Sequence, residues 1–180
     1  MARTFRFLTA DEIEVKVKQV KENGLVCLLY KTARTDMDLL DETVGADNWT
    51  NDYREIKGNL YAGIGIRQKD GSMVWKWDCG IESREDGEGN EKKGEASDAF
   101  KRAGFRWGIG RELYTSPFVW IKEDKAEIKQ VGTDKNGKPL CKCFDKFSVE
   151  KIAYDENSGR IIGLAIRNDS KNCRAFVWQA

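Results

Sequence analysis

The apolar positions of this chain change period several times, and each change marks a predicted element. From Leu8 to Lys21 the stretch LTADEIEVKVKQVK opens with Thr9 as N-cap and Glu12 three residues later, a capping-box spacing that predicts a short helix. Within it Ile13, Val15 and Val17 alternate, which is the period of a strand. Asn23-Gly24 breaks the element, LVCLLY at 25–30 reads as a buried strand, and Met37, Leu40 and Val44 recur at helical spacing between Arg34 and Val44. Gly45 is the expected stop of that helix.

Three segments with strand character follow: Trp49 to Ile56, NLYAGIGIRQ (59–68) and SMVWKWDCGIES (72–83). Lys69-Asp70-Gly71 forms a tight connection between the last two, so the three read as an antiparallel meander. The polar, Gly-rich REDGEGNEKKG (84–94) predicts a loop leading into a helix from about Glu91 to Gly108. After Trp120 the composition shifts to KEDKAEIKQVGTDKNGKP (122–139), a charged connector. FDKFSVEKIAYD, an Asn157-Ser158-Gly159 turn, RIIGLAIRN and RAFVWQA then predict a second small β unit. The expected fold class is α+β, an antiparallel β-meander packed on one long α-helix, with a small C-terminal β appendage. The expected organisation is a core over residues 1–121, including the N-terminal helix, and a connector with appendage over 122–180.

Composition narrows the class of function. With 180 residues and 40% hydrophobic content the chain can bury a core of ordinary size. Six Trp, five Tyr and eight Phe against two Pro indicate packed structure with short turns, and leave aromatics available for stacking. The net charge of +1 provides no global positive field, so any nucleic-acid role must rest on a local basic face. No segment offers the roughly 20 apolar residues of a membrane span, and a soluble, cytoplasmic protein is expected. The five cysteines are odd in number and scattered, which favours reduced thiols. Cys141 and Cys143 lack a C-x-x-C partner and the chain has no His, so they read as alternating strand residues rather than zinc ligands. Neither a metal nor a cofactor is expected.

The predicted long helix has two unlike sides. Ala96, Ala99, Phe100, Ala103 and Trp107 fall in one narrow sector fit to pack on a sheet. Lys93, Ser97 and Lys101 stack at i, i+4 and i+8, while Arg102 and Arg106 form a neighbouring row. Such a row suits a repeated phosphate backbone, although Glu91, Glu95 and Asp98 dilute its charge and a basic row is more often a solvated face.

KGEASDAFKRAGFRWGIGRELY (93–114) resembles the helix and following turn of the Rad-fifty-two and phage Sak family of single-strand annealing proteins. LLYKTARTDMDLLDETVGADNW (28–49) is similar to that family's strand, helix and G-x-x-x-W ending, and NLYAGIGIRQKDGSMVWKWDCGIES is similar to its hairpin. The resemblance covers roughly residues 25 to 121 in the family's order. It implies protomers joined side by side into a ring or partial ring with a basic groove for single-stranded DNA. It also implies ATP-independent annealing of complementary strands in recombination and repair, alongside a single-strand-binding protein or an exonuclease. Under it, Lys93, Ser97, Lys101 and Arg102 fall where the family's helix contacts the DNA backbone, and Arg34 is similar to a groove arginine. Phe105 stands where a basic residue is common, which leaves Arg106 to take over that contact. No catalytic residue is implied.

Two other classes remain in play. A metal-dependent nuclease would draw ligands from Asp36, Asp38, Asp41 and Glu42, or from Asp78 and Glu82. A structural oligomer would need no DNA at all. GTDKNGKP (132–139) imitates the spacing of a phosphate-binding loop, but Pro139 stands where Ser or Thr is required, and the stretch reads as a charged hairpin loop.

Overall fold

The computed structural model describes residues 5–81 and 91–180, with side chains of the second long helix from Lys93 onward. The chain is α+β, with mostly antiparallel strands and, among the described residues, two α-helices. Its contacts gather into two compact units, one of Lys31–Arg111 with the N-terminal residues through Arg6, the other of Phe7–Tyr30 and Glu112–Ala180.

The first unit contains α1 (Ala33–Val44), β3 (Trp49–Ile56), β4 (Asn59–Arg67), β5 (Met73–Cys79) and α2 (Glu91–Trp107). Thr32 caps α1 by accepting from the Thr35 amide at 3.1 Å, and Gly45 ends it at a φ of 87°, a conformation that costs glycine least. The three strands form an antiparallel sheet in the order β3-β4-β5, paired without a register break. Ala62, Ile64 and Ile66 alternate along β4 and are buried, as are Ala99, Phe100 and Ala103 of α2. α2 lies against β4 and β5. Trp107 Nε1 donates to the Ile64 carbonyl at 2.9 Å, and the Leu60 amide donates to Glu95 Oε1 at 3.2 Å. At Gly80 a Cβ would stand 2.2 Å from the Glu95 carbonyl oxygen, so only glycine lets the helix come this close to the end of β5.

The second unit contains β1 (Glu14–Lys21), β2 (Gly24–Tyr30), β6 (Val119–Lys122), β7 (Ile128–Thr133), β8 (Pro139–Cys143), β9 (Phe147–Tyr154), β10 (Ile161–Asn168) and β11 (Cys173–Gln179). Six of these strands make one sheet in the order β11-β10-β9-β1-β2-β6, and β7 and β8 form a separate hairpin. Leu25, Cys27, Val119, Ile121, Val149, Leu164 and Ile166 are buried in this unit.

Two readings are corrected here. The helix expected from Leu8 to Lys21 is one 3-10 turn, Ala10–Glu12, followed by a strand. The capping box forms, with the Thr9 amide donating to Glu12 Oε2 at 2.8 Å. Beyond it the alternation of Ile13, Val15 and Val17 prevails, because pairing with β2 buries one side of a strand and a helix would scatter those residues. The charged connector at 122–139 carries β7, whose exposed strand pairs with β8. The phosphate-loop look-alike within it is a hairpin turn, as its charged-loop reading required. Asp134 Oδ1 accepts from the Asn136 and Lys138 amides at 2.8 Å each, which closes the turn. The predicted loop at 84–94 falls mostly outside the described residues.

Candidate nucleic-acid interface

α2 owes its basic side to what its other side touches. With Ala99, Phe100 and Ala103 turned into the core, the 3.6-residue period leaves Lys93, Ser97, Lys101, Arg102 and Arg106 toward the helix's open flank. Lys93 and Arg106 are exposed, and Ser97, Lys101 and Arg102 are half-buried. Arg34, in the first turn of α1, is exposed. Neither Arg34 nor Lys93 forms an ion pair among the described residues.

One carboxylate organises the arginines. Asp78 on β5 holds Arg106 Nε at 2.9 Å through Oδ2 and lies 3.5 Å from Arg102 Nε through Oδ1. Arg102 Nε is sealed from solvent and has no hydrogen-bond partner, so this guanidinium is anchored at its base while its outer edge stays open. Lys101 Nζ stands 3.9 Å from Asp98 Oδ1, a loose surface pair that leaves the ammonium available. The neighbouring Lys76 lies 4.1 Å over the Trp107 ring and donates to the Arg106 carbonyl at 3.2 Å. Burial, and secondarily the Arg111 charge, lowers the Lys76 ammonium from its ordinary range. Arg111 donates to the Phe105 and Arg106 carbonyls at 2.7 and 2.8 Å, closing the end of α2 with a cation.

Beneath this row sits a buried ion pair. Lys31 Nζ lies 2.5 Å from both Asp36 oxygens, donates to the Lys101 carbonyl at 3.1 Å and stands 4.1 Å over the Phe105 ring. Both side chains are essentially inaccessible, 1% and 0% exposed. Phe105, at a position where the resemblance leads one to expect a cation, is therefore the cover of a buried cation. Burial pushes the Asp36 carboxyl up to about 6, against the opposing pull of Lys31 and, more weakly, Lys101.

Four of the carboxylates that a nuclease would draw on are otherwise engaged, while Asp38 is exposed on α1. Asp36 pairs with Lys31, Asp41 accepts from Trp49 Nε1 at 2.6 Å, and Glu42 pairs with Arg6 at 3.0 Å. Asp78 serves Arg102 and Arg106, and Glu82 lies outside the described residues. Among the described residues no group of three or more His, Cys, Asp or Glu is placed to hold a metal ion. Cys141 and Cys143 sit two apart on β8, as alternating strand residues do. No helix among the described residues is long and apolar enough to cross a membrane.

Residue-by-residue reading missed the organising roles of Asp78, Lys76 and Lys31. The alternation Trp75-Lys76-Trp77-Asp78 along β5 is the signal for the first two, since it puts both Trp on one face and both charges on the other. Nothing local marks Lys31, whose partners are five and seventy residues away. Compared with known families, residues 8–131 match the model of the Rad52/22 family double-strand break repair protein. No curated protein matches the chain.

Proposed function

The chain belongs to the Rad52/22 family of double-strand break repair proteins, and from that premise we propose that it binds single-stranded DNA and anneals complementary strands without nucleotide hydrolysis. The observation that carries the reading is the flank of α2, where Lys101, Arg102 and Arg106 crowd onto two helical turns with a single half-buried carboxylate tethering the two arginines.

The mechanism requires no covalent step. Lys101, Arg102 and Arg106 hold phosphates, Lys93 and Ser97 extend the contact along the helix, and Arg34 adds a cation from α1. Phosphate contacts fix a strand's position without reading its sequence. A strand held by its backbone stays extended, its hairpins are suppressed, and its pairing edges remain open to a second strand. Copies of the chain assemble side by side into a ring or partial ring, which lengthens the track, and residues 122–180 modulate binding or packing without building the groove. The setting is recombination in the cytoplasm, that of the host cell if the chain is phage-encoded, with a single-strand-binding protein or exonuclease as partner.

Mixing the protein with labelled complementary strands, with and without magnesium and ATP, separates annealing from cleavage. Annealing that needs neither is expected; shortened strands would establish the nuclease reading instead. The site is tested by the double variant Lys101→Ala, Arg102→Ala. It should weaken binding to all sequences alike and lower the slope of log affinity against log salt by about 1.4, roughly 0.7 per lost contact to a single strand. Wild-type affinity and slope in a still-assembled double variant would make α2 a solvated face.

A further inference from the structure

The sheet of the first unit has a second face, and sequence alternation determines what it carries. With Ala62, Ile64 and Ile66 turned inward, the opposite face presents Tyr61, Gly63, Gly65 and Arg67 from β4. The register places Trp77 opposite Gly63 and Trp75 opposite Gly65, with Asp52 and Thr50 as the β3 partners of the same two glycines. Both indoles lie over the glycine backbone. A Cβ at Gly63 would meet the Trp77 ring at 2.6 Å, and one at Gly65 would meet the Trp75 ring at 2.8 Å. The rings run nearly parallel, 24° apart with centroids 5.6 Å from each other. Two aromatic planes are thus laid against the strand, backed by glycine and facing outward.

The surroundings of the pair are cationic. The Arg54 guanidinium lies 4.3 Å over the Trp77 ring, and exposed Arg67 stands on the same face. Asp52 is the one acid among the outward positions of the three strands. Its charge is taken up by Arg54 Nε at 3.1 Å, and the Tyr53 amide donates to it at 2.9 Å. Trp75 is 36% exposed, and no cation lies over it among the described residues. On its other face the same strand presents Lys76 and Asp78 to α2. The aromatic pair and the phosphate-binding flank therefore share one strand.

We propose that Trp75, buttressed by the Arg54-covered Trp77 and with Arg67 on the same face, forms a stacking platform for the bases of single-stranded nucleic acid. The inference rests on reading the α2 flank as a phosphate track. A flat indole offers its face to any base, and the flanking guanidiniums offer charge to the phosphates on either side. An apolar protein partner would leave Arg67, which pairs with no acid among the described residues, to be desolvated without compensation. Stacking engages the face of a base and leaves its pairing edge free, so it is compatible with annealing. It adds a contribution that backbone contacts alone do not have, one that depends on the presence of bases but not on their order.

The experiment compares an ordinary single strand with an abasic strand of equal length, by fluorescence anisotropy over a range of salt. Trp75→Leu keeps an apolar cover over Gly65 and removes the indole, and Trp75→Phe keeps a ring. Trp75→Leu should weaken binding to the ordinary strand on the order of tenfold, leave the abasic strand and the salt slope unchanged, and be largely rescued by Trp75→Phe. Equal binding of wild type and Trp75→Leu to the ordinary strand overturns the proposal, as does an equal loss on both strands. A fall in oligomer mass or in melting temperature that accounts for the loss overturns it too, by making the face a contact between copies or a structural cover. The Lys101→Ala, Arg102→Ala variant is run in parallel. A flat response there with the Trp75 effect intact removes the α2 assignment and leaves the platform, whereas the reverse removes the platform alone.

Discussion

Gly104 of α2 faces the carboxylate of Asp36 with no room between them. A Cβ on Gly104 would stand 2.5 Å from Asp36 Oδ2 and 3.3 Å from Lys31 Nζ. A glycine inside a helix ordinarily costs about 1 kcal/mol relative to alanine, so replacing it should stabilise the chain. Here the sign reverses, because the methyl group would press on a buried ion pair that cannot swing into water. Gly104→Ala is expected to lower stability by about 1–3 kcal/mol, the range of an overpacked core. Denaturant unfolding monitored by circular dichroism measures it, and a stabilised variant would mean that α1 and α2 pack less closely than described.

The Lys31–Asp36 pair itself gives a second expectation. Removing one partner leaves an uncompensated charge in a site with essentially no access to water, so Asp36→Ala should lose about 3–5 kcal/mol. The double change Lys31→Met, Asp36→Leu removes both charges and should recover most of that loss. The pH dependence follows from the raised carboxyl. With a native value of about 6 against the ordinary aspartate value of 3.8, the folded state binds a proton more tightly than the unfolded chain. Stability of the wild type relative to the double variant should therefore fall as pH rises through that window and level off above it. A difference that instead grows with rising pH would show that Lys31 dominates over burial.

Cys27 should be the least reactive of the five thiols. Burial in β2, with a smaller push from Cys143, raises it to about 12, and only the thiolate attacks an alkylating reagent. In a timed alkylation of native protein at neutral pH, read by peptide mass spectrometry, Cys141 and Cys173 should label well before Cys27. Simultaneous labelling would indicate that the β1–β2 pairing opens readily.

Legibility in the sequence followed the range of the interactions. Residues paired by neighbouring turns were readable: Gly45 ends α1, the β3–β4–β5 segments lie close to their expected bounds, and the outward residues of α2 follow from helical period. The first strand was hidden behind a capping box that does form but governs only one turn, because the decision between helix and strand was made by β2 across the sheet. Asp78 is visible in the sequence as a carboxylate that reads as a metal ligand, since its arginine partners lie 24 and 28 positions further on. The Gly63–Trp77 and Gly65–Trp75 pairs were each half visible. Their meaning depends on register, which no single strand specifies.

Asp78 also makes the sharpest functional expectation. It sits between two candidate phosphate ligands and competes with the phosphate for them, since any charge it gives to Arg102 and Arg106 is charge a DNA strand does not receive. Its backbone role is local and survives amidation, because the Cys79 amide donates to Oδ1 at 2.9 Å and an asparagine oxygen can accept the same bond. Asp78→Asn therefore keeps the shape of β5 and raises the net charge of the flank by one. Affinity for single-stranded DNA should rise, most at low salt, and the slope of log affinity against log salt should steepen by up to about 0.7. If Asp78 acted chiefly by aiming the two guanidiniums, the variant would bind more weakly with an unchanged slope. That result would make the carboxylate a positioning residue rather than a competitor, and would place the phosphates where the tethered arginines already point.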